Sequence, residues 1–228
     1  MIFSGEELDA IRLSVEVAVW AVLMGIIPAI ACSYILARFN FRGKALLDAL
    51  VHLPLVVPPV VTGFILIILF GRYAPVGGVL EVLGIKLAFN WKGAVLASLV
   101  MSFPLMVRAI RISIEAVDRG LENAARTLGA GRFRVFMTVT LPLSVPGIIS
   151  GGMLGFARSL GEFGATITFV SNIPGETQTL PLALYSYTQT PGGEMMAARL
   201  CAVSIVISVA ALAASEVIAR RAAVRMKK

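Results

Sequence analysis

Five long uncharged stretches decide what this chain can fold into: 17–37, 49–71, 93–107, 135–157 and 200–215. A helix needs about 20 apolar residues to cross a bilayer, and the shorter stretches reach that length when flanking charged side chains extend to the headgroups. Charged residues make up 14% of the chain, well below the roughly 25% of soluble domains. The sequence therefore predicts one all-α membrane domain, 1–228, with about five transmembrane helices, over about 13–38, 46–71, 92–114, 141–160 and 196–219.

The basic residues predict an orientation for these spans. If the first span runs from outside to inside, 14 of the 20 lysines and arginines fall in the inside segments 38–44, 108–134 and 220–228. The positive-inside rule then places the N-terminus outside and the C-terminus inside. Because no basic stripe is interleaved with aromatic residues, the charge indicates membrane topology rather than nucleic-acid binding.

The segment of about 160–195 differs from the spans on either side of it. Residues 163–175 are uncharged but too few to cross a bilayer, and residues 177–193 are rich in Thr, Gln, Gly and Pro. Irregular backbone survives at membrane depth only against protein or a water-filled cavity. We expect short helices that enter the outer leaflet while packed against protein; a plain external loop is the alternative.

Two charged residues lie at the start of that segment. Arg158 and Glu162 are four residues apart, so on a helix they face each other as an ion pair. Charges near membrane depth usually serve a function or need a partner. The pair is therefore a candidate element of an anion pathway, or a purely structural pair.

The cytoplasmic segment of about 118–138 has the most specific pattern in the chain. Asp118 is a good N-cap and Gly129 is a good residue to end the helix between them. An apolar stripe with helical spacing runs along this helix, at Leu121, Ala124, Ala125 and Leu128, and Glu122 lies on the opposite side. Such a helix suits either a groove on a partner protein or the lipid surface, and the residues alone do not decide between them.

The same segment resembles the EAA motif of permeases from ATP-binding cassette (ABC) importers. Residues 123–129 are followed, after nine residues, by Val-Thr-Leu-Pro at 139–142. Asn123 stands where the motif has Glu, and Val139 where it has Ile. The resemblance implies a helix that sits in a cleft of a separate ATPase subunit and couples it to the pore. The residues to which it assigns this role are Leu121, Glu122, Ala124, Ala125, Leu128, Gly129 and Ala130.

The likeness extends over most of the chain. Residues 52–63, 101–111, 126–143 and 156–181 resemble permeases of molybdate importers, and residues 161–165 are also similar in sulfate and thiosulfate permeases. The resemblance implies a type I importer in a prokaryotic inner membrane. Its partners would be a second permease copy, two ATPase subunits that hold ATP and magnesium, and an extracytoplasmic molybdate-binding protein. Candidate pathway or gate residues are Pro58, Pro59, Arg158, Glu162 and Gly164.

Two alternatives remain beside a molybdate or tungstate importer. A sulfate or thiosulfate importer belongs to the same class. A secondary transporter or a passive channel belongs to another class, but a secondary transporter typically shows inverted repeats and intramembrane carboxylates for coupling ions. We see no clear internal repeat, and the cytoplasmic segment would have no role in a channel.

Other motifs point to packing rather than chemistry. Gly147, Gly151 and Gly155 recur every four residues, a spacing that lets membrane helices approach closely. We expect packing within one subunit; a moving face in a dimeric pore is the alternative. The sequence has no G-x-x-x-x-G-K-[ST], no H-E-x-x-H and no clustered metal ligands. We therefore expect no enzymatic activity, no cofactor and no metal on this chain.

Overall fold

A computed structural model describes residues 3–226, and every regular element within them is helical. The all-α prediction is confirmed. Lys227 and Lys228, which contribute to the inside charge, lie outside the described residues. A π-helical turn, Phe136–Thr140, follows α7. The α-helices in chain order are α1 Gly5–Arg38, α2 Lys44–Val56, α3 Pro59–Phe70, α4 Pro75–Val82, α5 Trp91–Glu115, α6 Arg119–Thr127, α7 Arg132–Val135, α8 Leu141–Leu143, α9 Val145–Leu160, α10 Gly164–Val170, α11 Leu180–Thr188 and α12 Glu194–Met226.

Three of these helices are long and apolar enough to cross a membrane: α1, α5 and the first part of α12, Glu194–Ala214. Two further candidates are bent. The pair α2 and α3 meets at an angle of 115°, and the stretch Arg132–Leu143 meets α9 at 69°. The number of spans reaches five if each bent pair crosses once. The predicted spans 46–71 and 141–160 thus each contain a sharp bend, the second one close to its start.

Proline causes the larger bend. Val57 and Pro58 have extended backbone, with ψ angles of 137° and 135°, and Pro59 begins α3. A residue before proline is driven out of the α-helical region, and proline has no N–H to donate to the preceding turn. Two consecutive prolines therefore end one helix and start another in a new direction.

Helix α5 lies at the centre, where it contacts α1, α9, α10, α2 and α3. The surface of α1 that packs inward is made of small residues, including Ala18, Ala21, Gly25 and Ala29. Such faces let helix backbones approach closely in a membrane, where there is little hydrophobic driving force between helices. The buried Ser33 Oγ donates a hydrogen bond of 2.9 Å to the Val107 carbonyl, which ties α1 to α5.

The segment 160–195 forms two short helices, α10 and α11, that pack against the bundle. Phe169 of α10 is fully buried in a core with residues of α1, α3 and α5. The Leu180 N–H at the start of α11 donates to Ser14 Oγ of α1 at 2.6 Å. The segment is thus a set of short helices against protein.

Candidate functional site

Helix α6 begins and ends at the residues that its sequence indicates. The Asp118 side chain accepts a hydrogen bond of 2.7 Å from the Gly120 N–H, as an N-cap does. At the other end Gly129 has a φ of +86°, and the Ala130 N–H donates to the Ala125 carbonyl at 3.1 Å. A positive φ is strained for residues with a β-carbon, so glycine sets the end of the helix.

The apolar residues of α6 and its flanks face away from the rest of the chain. Leu121 is 51% exposed, and Leu128, just after the helix, is 89% exposed. Ala124 is also exposed, whereas Ala125 and Ala130 are half-buried. We call the exposed set of Leu121, Ala124 and Leu128 the coupling face. An exposed apolar patch is typical of a protein interaction site.

Glu122 does not belong to the coupling face. The resemblance to the EAA motif places Glu122 among the coupling residues, but its carboxylate is buried, with only 6% of the side chain exposed. Its Oε1 accepts hydrogen bonds from Arg38 Nε at 3.0 Å and from Thr140 Oγ1 at 2.7 Å. A buried carboxylate needs such partners to offset its lost hydration, so the Glu122 side chain points into the protein.

The five predicted pathway residues lie in one continuous region. A β-carbon added at Gly164 would lie 2.7 Å from Cβ of Pro59, so the glycine lets α10 approach the bend after Pro58. Glu162 Oε1 accepts a hydrogen bond of 2.8 Å from the Ala165 N–H, which caps α10.

The predicted ion pair forms within that region. Arg158 Nη1 lies 2.6 Å from Glu162 Oε2, and the Glu162 side chain is 1% exposed while that of Arg158 is 26% exposed. A buried carboxylate with a partly exposed arginine leaves the positive charge as the accessible member of the pair. This arrangement supports the structural role of Glu162 and leaves Arg158 as the residue that an anion could reach.

A cavity of about 600 Å³ lies elsewhere, between the end of α3 and the segment that contains α4. Its walls include Arg72, Tyr73, Glu81 and Phe89, and none of the predicted pathway residues. This cavity is therefore separate from the predicted pathway residues.

The three glycines of α9 face α5. A β-carbon at Gly151 would lie 2.9 Å from Ile110 Cγ1, and one at Gly155 would lie 2.7 Å from Met106 Cγ. At Gly147 the added carbon would overlap Ser113. The structure therefore uses these glycines for contact within one subunit.

Sequence reasoning missed two features that position the site. The small-residue face of α1 has a helical spacing that a search for small residues would have found. The partners of Glu122 had no local signal, because Arg38 is 84 residues away and Thr140 is 18 residues away.

Comparison with known proteins decides the family. Residues 21–224 match the family described as "Binding-protein-dependent transport system inner membrane component". The chain belongs to this family. It is accordingly a multi-pass inner-membrane protein, in agreement with its apolar helices.

Individual relatives are similar over nearly the whole chain. The chain is 58% identical over 221 residues to the "Molybdenum transport system permease protein ModB" of Escherichia coli K12, with 96% of each chain covered. It is 56% identical to the protein of the same name from Haemophilus influenzae, with 94% of each covered. A "Sulfate transport system permease protein CysW" of Synechococcus elongatus is 38% identical over 76% of this chain and 61% of the relative.

Solved structures share the fold. A bacterial ABC transporter "involved in the import of the acidic polysaccharide alginate" superposes with a TM-score of 0.76, at 15% identity, over 96% of this chain and 80% of the other. This likeness confirms the ABC-importer permease fold that the sequence resemblance implied.

Proposed function

We propose that this chain is the membrane-spanning subunit of an ABC importer that carries molybdate, or the similar tungstate, into the cell. The observation that carries the substrate class is the 58% identity, over 96% of both chains, to a molybdenum transport permease. The sulfate permease is less similar, at 38% identity over a smaller part of the chain. A sulfate or thiosulfate importer is the second candidate, and a secondary transporter has no support from the relatives.

Energy for the transport would come from a separate ATPase subunit. The sequence carries no phosphate-binding G-x-x-x-x-G-K-[ST] loop, and the family depends on further components, as its name states. The coupling face supports a docking role, because Leu128 is 89% exposed beside a helix whose acidic residue is turned inward. We propose two copies of the chain, two ATPase subunits and an extracytoplasmic binding protein as the working assembly.

In this assembly the pathway would run between the two copies. Closure of the ATPase subunits on ATP would move both 118–138 segments and switch the path between outward and inward openings. Arg158, the accessible partner of the ion pair, would attract the oxyanion for a short time, since the neighbouring Glu162 limits the net positive charge.

The assembly is tested by the ATPase activity of the reconstituted complex with its binding protein. The binding protein is supplied empty, loaded with molybdate, or loaded with sulfate. We expect stimulation by the molybdate-loaded form. Stimulation by the sulfate-loaded form alone would keep the importer class and change the substrate, whereas failure of the chain to purify with an ATPase subunit would refute the importer.

A single substitution tests the coupling face in the same preparation. Leu128→Asp places a charge on a side chain that is 89% exposed, so the fold should persist while binding of the ATPase subunit is lost. Asn123→Asp is the matched control, because it adds the same charge at an exposed position on the other side of α6. Equal retention of the ATPase subunit by both variants would exclude the coupling face as the docking site.

A further inference from the structure

Helix α6 has one buried side chain that ties it to other parts of the protein. All residues of α6 are described, and Glu122 is the one that is buried. Its Oε1 accepts a hydrogen bond from Nε of Arg38, the last residue of α1, at 3.0 Å. Arg38 Nη2 also donates to the carbonyl of Val117, directly before the N-cap of α6, at 2.9 Å. Arg38 therefore contacts this segment at two points, the backbone carbonyl of Val117 before α6 and the side chain of Glu122 within it.

A third element reaches the same carboxylate oxygen. Thr140 Oγ1 donates to Glu122 Oε1 at 2.7 Å, and Thr140 is completely buried. Thr140 is the last residue of the π-helical turn Phe136–Thr140, which leads through α8 into the bend before α9. Single π-helical turns are rare and frequently lie at functional sites.

Separating the Glu122 carboxylate from Arg38 or Thr140 would be energetically unfavourable. A carboxylate taken out of water is stable only while its counter-charge and hydrogen-bond donors stay in place. The side chains of Glu122 and Arg38 are only 6% and 8% exposed. Moving α6 away from α1 would therefore leave two charged groups that are shielded from water and have lost their partner. The arginine also lies at the C-terminal end of α1, where the helix dipole favours a positive charge. The contact therefore opposes separation of α6 from α1.

We propose that Glu122, Arg38 and Thr140 form a rigid joint that transmits the displacement of α6 to α1 and to the entry of α9. This inference rests on the proposed function, in which an ATPase subunit moves α6. The three are positioning residues, because Glu122 joins Arg38 of α1 to Thr140 of the π-helical turn inside the protein. The joint gives a role to Glu122, which is buried and lies outside the coupling face.

The first test is Glu122→Gln in the reconstituted complex. The amide keeps the shape and one oxygen acceptor but removes the charge that holds Arg38. We expect retained binding of the ATPase subunit and retained ATP hydrolysis. The molybdate transported per ATP hydrolysed should fall about tenfold or more, because a buried pair that loses one partner is strongly weakened.

A matched control lies on the neighbouring helix. Arg111 Nε and Glu115 Oε1 form an ion pair of 2.8 Å on α5, with side chains 26% and 46% exposed. Glu115→Gln makes the same chemical change in a more exposed pair, whose arginine also pairs with Asp48 of α2, and it should leave the transport per ATP unchanged. A merely structural effect of Glu122→Gln would lower the amount of complex but not this ratio, and an unchanged ratio would overturn the proposal.

Crosslinking tests the rigid joint directly. In a background with Cys32→Ala and Cys201→Ala, we replace Arg38 and Glu122 together by cysteine, which should uncouple transport. A short bifunctional maleimide that bridges positions 38 and 122 should then restore molybdate transport per ATP, since a rigid joint needs only a fixed distance. Continued loss of transport after complete crosslinking would mean that α6 must hinge against α1, and would overturn the proposal.

The unaltered protein distinguishes the two levels of inference. If it shows no molybdate-dependent ATPase stimulation and no uptake, the proposed function fails. If it transports molybdate while the joint variants retain normal coupling, the joint alone fails.

Discussion

Two glycines of α9, Gly147 and Gly152, should respond to replacement by alanine with opposite changes in stability. At Gly147 an added β-carbon would overlap the β-carbon of Ser113, and it would lie 2.6 Å from Ser113 Oγ and 3.2 Å from the Ala109 carbonyl oxygen. At Gly152, on another face of the same helix, the nearest atoms are side-chain carbons of Val22 and Ile26 at 3.6 and 3.8 Å. Those distances are ordinary van der Waals contact.

The magnitudes follow from these distances. Carbon atoms pack best at about 3.5–4.0 Å, so Gly147→Ala must separate α9 from α5 locally. Overpacking of this kind costs about 1–3 kcal/mol, and the serine β-carbon is fixed to the α5 backbone, which favours the upper part of that range. Alanine returns up to about 1 kcal/mol through its higher helix propensity. We expect Gly147→Ala to lower the free energy of unfolding by about 1–2 kcal/mol, and Gly152→Ala to raise it by about 0.5–1 kcal/mol.

The assay is equilibrium unfolding of the purified permease in detergent, monitored by tryptophan fluorescence. A Gly147→Ala protein as stable as Gly152→Ala would refute the close contact of α9 with α5. Unchanged stability combined with lost transport would favour the alternative in which the glycines form a moving face between two copies.

Two further predictions concern the coupling segment and the ion pair. Gly129→Val should uncouple ATP hydrolysis from transport, because a β-branched residue is strained at φ +86°. Gly131→Val is the control and should stay coupled, because Gly131 has a φ of −67° and no atom lies within 4 Å of the added carbon. Normal coupling in Gly129→Val would contradict the role assigned to Gly129. Arg158→Gln should lower thermal stability, because Glu162 is buried, and the double change with Glu162→Gln should restore stability. Normal uptake by that double variant would remove Arg158 from the pathway. Uptake that is lost in the double variant but kept in Glu162→Gln alone would place Arg158 in the pathway.

Local patterns predicted the helical class and the bounds of α6. The residue types and spacing of Asp118 and Gly129 predict the cap and the end of a helix, and both residues adopt that geometry. These features depend on neighbours in sequence, since a capping side chain and a residue with positive φ act within one turn. The length and apolar composition of the long stretches likewise indicate, from the local sequence alone, that they lie in lipid.

The orientation of Glu122 was not predictable in this way. On an isolated amphipathic helix a glutamate opposite two leucines indicates a solvated face, yet here the leucines are exposed and the glutamate is buried. The burial of Glu122 depends on its pairing with Arg38, which is 84 residues away. From the sequence, Arg38 is only one of the basic residues that predict the inner side of the membrane. The 115° bend after α2 shows a similar limit. Two prolines predict a break, but no local pattern gives its angle, and α3 packs against α10, which is distant in sequence.

The central claim is that this permease carries molybdate inward at the expense of ATP in a partner subunit. The most direct measurement is uptake of radiolabelled molybdate into proteoliposomes that contain the permease, its ATPase subunit and internal ATP, with the binding protein outside. The account predicts uptake that requires internal ATP and is not reduced by excess sulfate. Uptake without ATP, or uptake that excess sulfate abolishes, would contradict it.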